Sequence, residues 1–533
     1  MSAIRKEIIW NAINKSKALT DYNIYNKQDK RFEFRKQTIL ADDSLTEDEK
    51  TYAIKILNKT HDRNKVNYNS GTKRICENCN QGCLATLYCE YCVRNYLKAN
   101  FSNWTSGNDN IDNLIQRCQT GTIDPEGIIE WIPYNNFQNI KYLTKGGYSE
   151  IYKANWINGR YKIWDSDKRQ LKRKGRQRVI LKRLENAENA NQRWFEEAKS
   201  HLTISNKWSE IVQCYGLTKD PSNGDYMLVM EKMDVDLRKY LQQNHNQLTW
   251  KERIQNIHDI VRSISKIHKA KAIHRDLHSG NLLHSPRSNR WFISDLGFCG
   301  PADKPSNSIY GNLPYIAPEV IAGKQTTFKS DIYSIAMLMW EISSGQPPFN
   351  NYEHDYYLAT NIINGIRPKV VPGTPLEYEG LMKQCWDADP LKRPDIRTLR
   401  REIRKIRFVY YQNESNESTQ SKVNSNSEAN KQSMNYTISR LLTSKIHRFE
   451  NFPEPRNATA DEQEAFHSKS YDDFHIPDNI DDFGKSSKEK NDSTSKISSI
   501  SKDTPIQQIQ QQIKKHHIDE FRMNIHESRI LFK

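Results

Sequence analysis

The spacing of apolar residues predicts helices at the start of the chain. Residues 4–19 repeat apolar positions at helical intervals, which places these positions on one face of a helix. Residues 44–59 predict a second helix, and Ser44 with Glu47 fits a capping box in front of it. We therefore predict a small N-terminal helical region over residues 1–70.

Apolar content rises between residues 137 and 410, where strand-like runs come first and helical runs follow. Residues 178–184 and 225–233 are short and rich in Val, Leu, Ile and Met, as buried strands are. Residues 253–268 and 330–343 carry apolar residues at helical spacing. Strands followed by helices predict an α+β unit with two lobes.

The two segments that flank this unit differ in character. Residues 98–136, which precede it, are interpreted as a linker. After residue 411 the chain becomes rich in Ser, Asn and Lys, and such a segment buries too little apolar surface to offset its chain entropy. We therefore predict a disordered tail over residues 411–533, in which residues 434–442 and 521–532 are candidates for short docking pieces.

Composition and charge limit the classes of protein that fit. Hydrophobic residues make up 36% and charged residues 27% of the 533 residues, which argues against a fully globular chain. The formal charge of +15 favours anionic partners such as nucleotides. The chain has no apolar stretch of the ~18 residues that a membrane span needs, and its charged start does not resemble a signal peptide.

Five of the nine cysteines lie between residues 76 and 92, which favours metal binding in a reducing, intracellular location over a disulfide scaffold. We expect the cytoplasm, or alternatively the nucleus. Two CxxC pairs can each offer two thiolates to a tetrahedral Zn²⁺, so we predict a zinc-binding segment over residues 71–97. The alternative is a set of unliganded thiols, and Cys83 is either a free thiol or a substitute ligand. The four predicted ligands are Cys76, Cys79, Cys89 and Cys92.

Groups suited to phosphoryl transfer follow one another along the α+β unit. This chemistry needs positioned charge around a triphosphate. The stretch YLTKGGYSEIYKA at 142–154 fits a hairpin that covers phosphates, because Gly146 and Gly147 let backbone amides approach a ligand. A simple hairpin turn is the alternative interpretation of the same two glycines.

Lys182 ends the apolar strand VILK, and a charged ammonium group there needs a carboxylate partner. Glu197, in the helical stretch RWFEEAKSHL, is the first candidate, and Glu196 is the alternative. Paired in this way, Lys182 is able to hold phosphate oxygens.

The loop IHRDLHSGNLL at 273–283 places polar residues inside an apolar run. Asp276 is suited to accept the proton of a substrate hydroxyl. Asn281, and Asp295 of the later stretch WFISDLGF, are oxygen ligands suited to Mg²⁺. The structural alternative is a polar turn in which backbone groups satisfy His274 and Asn281.

Two further motifs follow, APE at 317–319 and LKRPD at 391–395. With the motifs above, their order and spacing over residues 137–410 resemble those of the eukaryotic protein kinase family. The resemblance implies a β-rich N-lobe, an α-helical C-lobe and ATP bound in the cleft between them. It implies Asp276 as the catalytic base, Asn281 and Asp295 as Mg²⁺ ligands, and Lys182 as the phosphate-contacting lysine.

The resemblance also assigns the adenine-binding positions. Met230 falls at the gatekeeper position, and Glu231 and Met233 offer backbone hydrogen bonds to adenine. It further implies that the loop at 273–283 is the catalytic loop, that Asp331 steadies this loop, and that Glu319 pairs with Arg393. The remaining ATP-binding positions that it implies are Leu143, Gly146, Gly147, Ile151 and Glu197.

Several positions depart from the family pattern. The glycine-rich loop has Thr144 and Ser149 at two of its three glycine positions. His278 stands where Ser/Thr kinases usually carry Lys, and Asn312 replaces a threonine that those kinases carry. The motif GNLPYIAPE is nearer to the Ser/Thr pattern, as in tyrosine-kinase-like enzymes, so Ser/Thr acceptors are favoured, with Tyr as the alternative.

The segment between the DLG and APE motifs carries candidate switch residues. We expect phosphorylation of Ser308 or Tyr310, with Ser306 nearby, to order this segment against Arg275, because phosphate pairs well with guanidinium. The structural alternative is a segment that is ordered without modification.

The sequence thus predicts a protein kinase that binds ATP, Mg²⁺ and protein substrates and carries a structural Zn²⁺. One alternative is a kinase-fold scaffold with little or no catalysis, which the eroded glycine loop favours. Another is a zinc-ribbon factor that binds nucleic acid or protein, with the kinase lobe secondary. The basic run at 168–178 is interpreted as a solvated charged loop, with nuclear import or nucleic-acid contact as the alternative. The few aromatic residues near the cysteines argue against nucleic acid. The sequence does not indicate an oligomeric state.

Overall fold

A computed structural model of the chain describes residues 4–146, 149–184, 193–285, 288–301, 309–412, 444–449 and 451–468. The helices are α1 (Lys6–Ala18), α2 (Gln28–Leu40), α3 (Glu47–Tyr68), α4 (Glu90–Ala99), α5 (Asp109–Thr120), α6 (Arg193–Lys207), α7 (Leu237–Asn244), α8 (Trp250–Lys269), α9 (Pro318–Ile321), α10 (Phe328–Ser344), α11 (Tyr356–Ile363), α12 (Leu376–Cys385), α13 (Ile396–Gln412) and α14 (Ala460–Ser468). The strands are β1 (Arg74–Ile75), β2 (Gly82–Cys83), β3 (Glu130–Trp131), β4 (Phe137–Gly146), β5 (Ser149–Trp156), β6 (Tyr161–Asp165), β7 (Gln170–Arg173), β8 (Gln177–Arg183), β9 (Cys214–Lys219), β10 (Tyr226–Glu231), β11 (Ala272–Ile273), β12 (Leu282–Ser285), β13 (Arg290–Ile293), β14 (Gly300–Pro301), β15 (Ile309–Gly311) and β16 (Lys445–His447).

The N-terminal helices form where the apolar pattern predicts α1 and α3. The capping box of α3 consists of Thr46 and Glu49, two residues beyond the predicted pair of Ser44 and Glu47. Glu49 also binds the side chain of Arg5, which ties the start of α1 to the start of α3. This helical region packs against the C-lobe through α1 and α13.

The N-lobe is built on a six-stranded sheet with the strand order β3-β9-β10-β8-β5-β4. The predicted strands at 178–184 and 225–233 correspond to β8 and β10, which pair antiparallel with Lys182 opposite Leu228. Hydrogen bonding to neighbours on both sides fixes β8 in the sheet, so Lys182 is held on a rigid element. The predicted α+β fold with a β-rich N-lobe and a helical C-lobe is confirmed.

Residues 98–136 are not the predicted linker, because they fold onto the N-lobe. Helix α5 packs its buried face against α6. Strand β3 pairs in parallel with β9, and Gly216 of β9 has a φ of +145°, where a side chain would collide with the carbonyl of Glu130. The composition of this segment is polar on average, which hides the apolar helical face of α5. That face consists of Ile111, Leu114, Ile115 and Cys118.

The C-lobe is organised around α8 and α10, which lie side by side in the largest hydrophobic core. These helices contain the predicted helical runs at 253–268 and 330–343. No helix within the described ranges is both long enough and apolar enough to cross a membrane.

The cysteine-rich segment packs against the N-lobe rather than standing apart from it. Trp164 of β6 and Leu171 of β7 are buried in the same hydrophobic cluster as the cysteines. Strand β7 lies within the basic run at 168–178, which we interpreted as a solvated loop. Leu171 is the apolar residue in this run, and its burial anchors the hairpin of β6 and β7 to the cysteine-rich segment.

The predicted disordered tail contains a folded part. Residues 444–449 and 451–468, called the tail segment below, include β16 and α14. The side chain of Phe466 is buried in the core of the C-lobe. The Ser- and Asn-rich composition of the tail masks this segment, whose order depends on contacts with a distant part of the chain. Residues 413–443 and 469–533 lie outside the described residues, and with them both candidate docking pieces, 434–442 and 521–532.

Candidate active site

A cavity of about 540 Å³ lies between the N-lobe sheet and the catalytic loop. Strand β10 ends at Glu231, so the chain leaves the sheet at the rim of this cavity. Gly146 ends β4 opposite Ser149, whereas Gly147 lies outside the described residues. The predicted site residues that line the cavity are Leu143, Ile151, Lys182, Glu197, Met230, Glu231, Met233, Asn281 and Asp295.

Lys182 forms two ion pairs inside the cavity. Its Nζ lies 2.8 Å from Oε1 of Glu197 and 2.8 Å from Oδ1 of Asp295. Burial alone would lower the pKa of Lys182, but the two carboxylates raise this pKa above its usual value. Glu196 instead pairs with Lys199 on the surface of α6. Of the two candidate partners, the structure therefore places Glu197 at Lys182.

The catalytic loop is held by hydrogen bonds to its backbone. The Nδ2 of Asn281, a residue that lines the cavity, donates to the carbonyl of Asp276 at 2.9 Å and so fixes the two residues relative to each other. The carboxylate of Asp331 accepts hydrogen bonds from the backbone amides of His274 and Arg275, at 2.9 and 3.1 Å. Asp331 thus steadies the loop, in the way that the family resemblance implies.

Asp295 sits in an unusual backbone conformation, with a φ of +51°. Burial would raise the pKa of its carboxyl group, but the charge of Lys182 holds this pKa well below its usual value. Asp295 is therefore ionised at neutral pH, as a carboxylate ligand for a divalent cation must be.

His201 is a buried neighbour of this site that sequence reasoning missed. Its Nε2 accepts a hydrogen bond from the backbone amide of Leu296 at 3.1 Å. Burial and the nearby charge of Lys182 lower the pKa of His201 to about 3, so it is neutral at ordinary pH. The sequence did carry a signal for His201. It follows Glu197 by four residues, and this helical spacing places both residues on the same face of α6.

Glu319 and Arg393 form the ion pair that the family resemblance implies. Two hydrogen bonds of 2.9 and 2.7 Å join the guanidinium group to the carboxylate, and both side chains are buried. The pair ties α9, which contains Glu319, to the residues that directly precede α13.

The candidate switch residues are described only in part. Ser306 and Ser308 lie outside the described residues. Tyr310 belongs to β15 and stacks on Phe298, with ring centroids 3.5 Å apart. The side chain of Arg275 donates a hydrogen bond of 3.4 Å to the carbonyl of Phe298. The predicted phosphorylation of this segment stays a prediction.

The four predicted zinc ligands come together in one cluster, with sulfur atoms that all lie within 4.8 Å of one another. The Sγ atoms of Cys76 and Cys92 are 3.7 Å apart, and those of Cys79 and Cys89 are 3.6 Å apart. Ligand bonds of ~2.3 Å in a tetrahedron give sulfur–sulfur distances of ~3.8 Å, so the cluster has the dimensions of a thiolate zinc site. Cys83 is buried nearby but is not a member of this cluster.

Residues 137–403 match the family described as protein tyrosine and serine/threonine kinase. The chain therefore belongs to the protein kinase family, as predicted.

Several relatives share this region. The dual serine/threonine and tyrosine protein kinase of Mus musculus is 34% identical over 209 residues, which cover 38% of this chain and 22% of that protein. The protein of the same name from Homo sapiens is 34% identical over 197 residues, 35% of this chain and 21% of that protein. The probable serine/threonine-protein kinase roco7 of Dictyostelium discoideum is 25% identical over 296 residues, 53% of this chain and 11% of that protein. The matched region thus spans about a fifth or less of the length of these relatives.

Proposed function

We propose that this chain is an ATP-dependent protein kinase that transfers the γ-phosphate of ATP to Ser or Thr hydroxyl groups of proteins. The observation that carries this proposal is the position of Lys182, which bridges Glu197 and Asp295 inside a cavity that Asn281 also lines. Burying a cation with two carboxylates carries a desolvation cost, which favours a functional role for Lys182 over a purely stabilising one. The arrangement supports phosphate binding next to a metal-binding carboxylate.

Each residue of the site has a separate role in phosphoryl transfer. Lys182 binds phosphate oxygens, and Glu197 keeps its ammonium group in place. Asp295 and the amide oxygen of Asn281 would hold Mg²⁺, which supplies charge neutralisation at the phosphates. The amide nitrogen of Asn281 is engaged by Asp276, which orients its oxygen away from the loop backbone. This donor set of carboxylate and amide oxygens fits Mg²⁺.

Asp276 acts as the base that accepts the proton of the acceptor hydroxyl. Its side chain is only 6% exposed, and Asn281 fixes its backbone. A base held at one position acts on a hydroxyl that reaches hydrogen-bond distance. The relatives whose names include serine/threonine kinase activity support Ser and Thr as acceptors.

The test of this proposal is transfer of labelled γ-phosphate from Mg-ATP to generic Ser/Thr and Tyr protein substrates. We expect transfer mainly to Ser and Thr, and loss of nucleotide binding in Asp295→Ala. A protein that binds ATP but transfers nothing would support the alternative of a kinase-fold scaffold. Transfer restricted to tyrosine would overturn the assignment of the acceptor.

We also propose that the cysteine cluster holds one structural Zn²⁺. The sulfur–sulfur distances of 3.6 and 3.7 Å support this, because they match the edges of a ZnS₄ tetrahedron. All nine cysteines are described and none forms a disulfide, which fits the reducing cytoplasm or nucleus that we propose as the location. Metal analysis should give one zinc per chain in wild type and in Cys83→Ser, and none in Cys76→Ser. An absence of zinc from freshly purified wild type would reject the site.

A further inference from the structure

The tail segment places a serine at the catalytic base. The hydroxyl group of Ser444 donates a hydrogen bond of 2.7 Å to Oδ1 of Asp276, across 168 residues of sequence. A hydroxyl at this distance is at the position from which a general base removes a proton. Ser444 is thus bound in the same way as the substrate hydroxyl of the proposed reaction.

His278 holds the same hydroxyl from a second direction. The backbone amide of Gly280 donates to Nδ1 of His278 at 3.1 Å, so in the neutral ring Nδ1 carries the lone pair and Nε2 carries the hydrogen. That Nε2 lies 3.1 Å from Oγ of Ser444. His278 therefore donates to the serine oxygen while the serine donates to Asp276. This leaves a lone pair of Oγ for attack on phosphorus.

Backbone pairing guides the residues after Ser444. Strand β16 runs antiparallel to β15, with Lys445 opposite Gly311 and His447 opposite Ile309. Gly311 is close to the base, since a side-chain carbon there would lie 3.4 Å from Oδ1 of Asp276. An extended peptide that adds a strand to an exposed edge is a common mode of peptide binding. Here the added strand sets the register that brings Ser444 to Asp276.

Aromatic side chains anchor the tail segment to the C-lobe beyond β16. Phe452 stacks on Tyr356 with ring centroids 4.8 Å apart, and Phe449 contacts the same ring edge-on. Further on, Phe466 of α14 stacks on Tyr352 at 5.2 Å. A few well-packed residues, often aromatic, carry most of the binding energy in protein interfaces.

Polar contacts fix the segment between these anchors. The side chain of Asn457 accepts from the amide of Ala388 at 2.9 Å and donates to Asp387 at 3.0 Å. Gly365 has a φ of +91°, and a side-chain carbon there would lie 2.1 Å from the backbone nitrogen of Ala458. The C-lobe surface is therefore shaped to receive this stretch of backbone.

We propose that Ser444 is a phosphorylation site of this chain's own kinase domain, modified within the same molecule. This inference rests on the proposed kinase function. In the reaction, Oγ of Ser444 forms a bond to the γ-phosphorus of ATP while the bond from that phosphorus to the β,γ-bridging oxygen breaks. The hydroxyl proton passes to Asp276, and ADP leaves.

The product cannot stay where the substrate lies. A phosphoserine carries nearly two negative charges at neutral pH, and at this position they face the carboxylate of Asp276. Repulsion then expels Ser444 and β16 from the site. Before modification the tail segment covers β15 and blocks Asp276, so phosphorylation of Ser444 opens the site to other protein substrates.

The test uses the full chain, dephosphorylated and then mixed with Mg-ATP and a Ser/Thr peptide substrate. Mass spectrometry measures phosphate at Ser444, and the peptide reports general kinase activity. We expect Ser444 to be modified with a first-order rate constant that does not change with protein concentration. An Asp276→Asn chain mixed with wild type should gain no phosphate at Ser444, because its own base is missing.

Two variants test whether the aromatic anchors position Ser444 for modification. The double variant Phe449→Ala/Phe452→Ala should slow modification of Ser444 about tenfold or more, because it removes the anchors next to β16. Ser468→Ala, an exposed serine at the end of the same segment, should leave the rate unchanged. Peptide phosphorylation without phosphate at Ser444 would overturn this inference alone, as would a rate that rises with protein concentration. Absence of transfer to both Ser444 and the peptide would overturn the proposed function as well.

Discussion

The ammonium group of Lys182 lies 2.8 Å from the carboxylate of Glu197, and this ion pair joins β8 to α6 across the candidate active site. Oδ1 of Asp295 lies at the same distance from the ammonium group of Lys182. The position of α6 relative to the sheet therefore controls where the lysine points. A shift of α6 would leave Lys182 bound to Asp295 alone.

We predict that Lys182→Met and Glu197→Gln each lower the phosphate transfer rate by about 100-fold or more, because both disturb the same charge at the phosphates. The double variant should lose little more than either single variant, since the residues act as a unit. The matched control is Glu196→Gln, which alters the neighbouring surface residue of α6 and should retain near-normal transfer. Additive losses in the double variant would show that the two residues act independently.

A second prediction concerns the buried pair of Glu319 and Arg393. Arg393→Met should lower the free energy of unfolding of the C-lobe by about 3–5 kcal/mol, because it leaves the buried carboxylate of Glu319 without its partner. The control Arg397→Met alters an exposed arginine at the second position of α13 and should change stability by no more than about 0.5 kcal/mol. Chemical denaturation followed by a signal from the C-lobe measures both. Equal stability of the two variants would contradict the prediction.

The kinase core was predictable because its chemistry restricts residue types at fixed spacing. Asp276, Asn281 and Asp295 stand in motifs whose order leaves few other interpretations, and the apolar strand around Lys182 requires a carboxylate partner. Periodicity also predicts α8 and α10, since long helices repeat the same apolar face over several turns.

The features that the sequence did not reveal depend on contacts between distant segments. Ser444 lies in a polar tail, and contacts with a C-lobe surface that includes Gly365 and Tyr356 hold the tail segment in place. Likewise, Leu171 is one apolar residue in a basic run, and its role becomes clear only beside the cysteine cluster. The average composition of a segment does not reveal single apolar residues that anchor it to a distant part of the fold.

The proposed zinc site should be coupled to the N-lobe, because Trp164 and Leu171 pack against the cysteines. We predict that chelation of zinc increases amide hydrogen exchange in residues 74–97 and also in the hairpin of β6 and β7. Exchange in α10, which lies in the core of the C-lobe, serves as the internal control and should not change. Faster exchange confined to residues 74–97 would contradict this coupling.

Stability should fall in mild acid through His354. Burial and the nearby charge of Lys445 lower the pKa of His354 to about 3, whereas an unfolded chain binds this proton below about pH 6.5. The free energy of unfolding therefore falls progressively as the pH drops from about 6.5 towards 3. At pH 5 this free energy is lower by about 2 kcal/mol.

Denaturant unfolding of wild type and His354→Gln at pH 8 and pH 5 measures this effect. The variant should lose less stability between the two pH values, by about the same 2 kcal/mol. An identical loss in both proteins would show that the pKa of His354 is not lowered in the folded state.

The central claim is that Asp276 is the base of a phosphate-transfer reaction, and Asp276→Asn tests it most directly. The measurement is the rate of γ-phosphate transfer to a Ser/Thr peptide, together with the dissociation constant of Mg-ATP and a thermal unfolding curve. We predict a transfer rate at least about 100-fold lower than in wild type, because only the base is lost. Nucleotide affinity and folding should stay close to those of wild type. Transfer at the wild-type rate by the folded variant would contradict the claim.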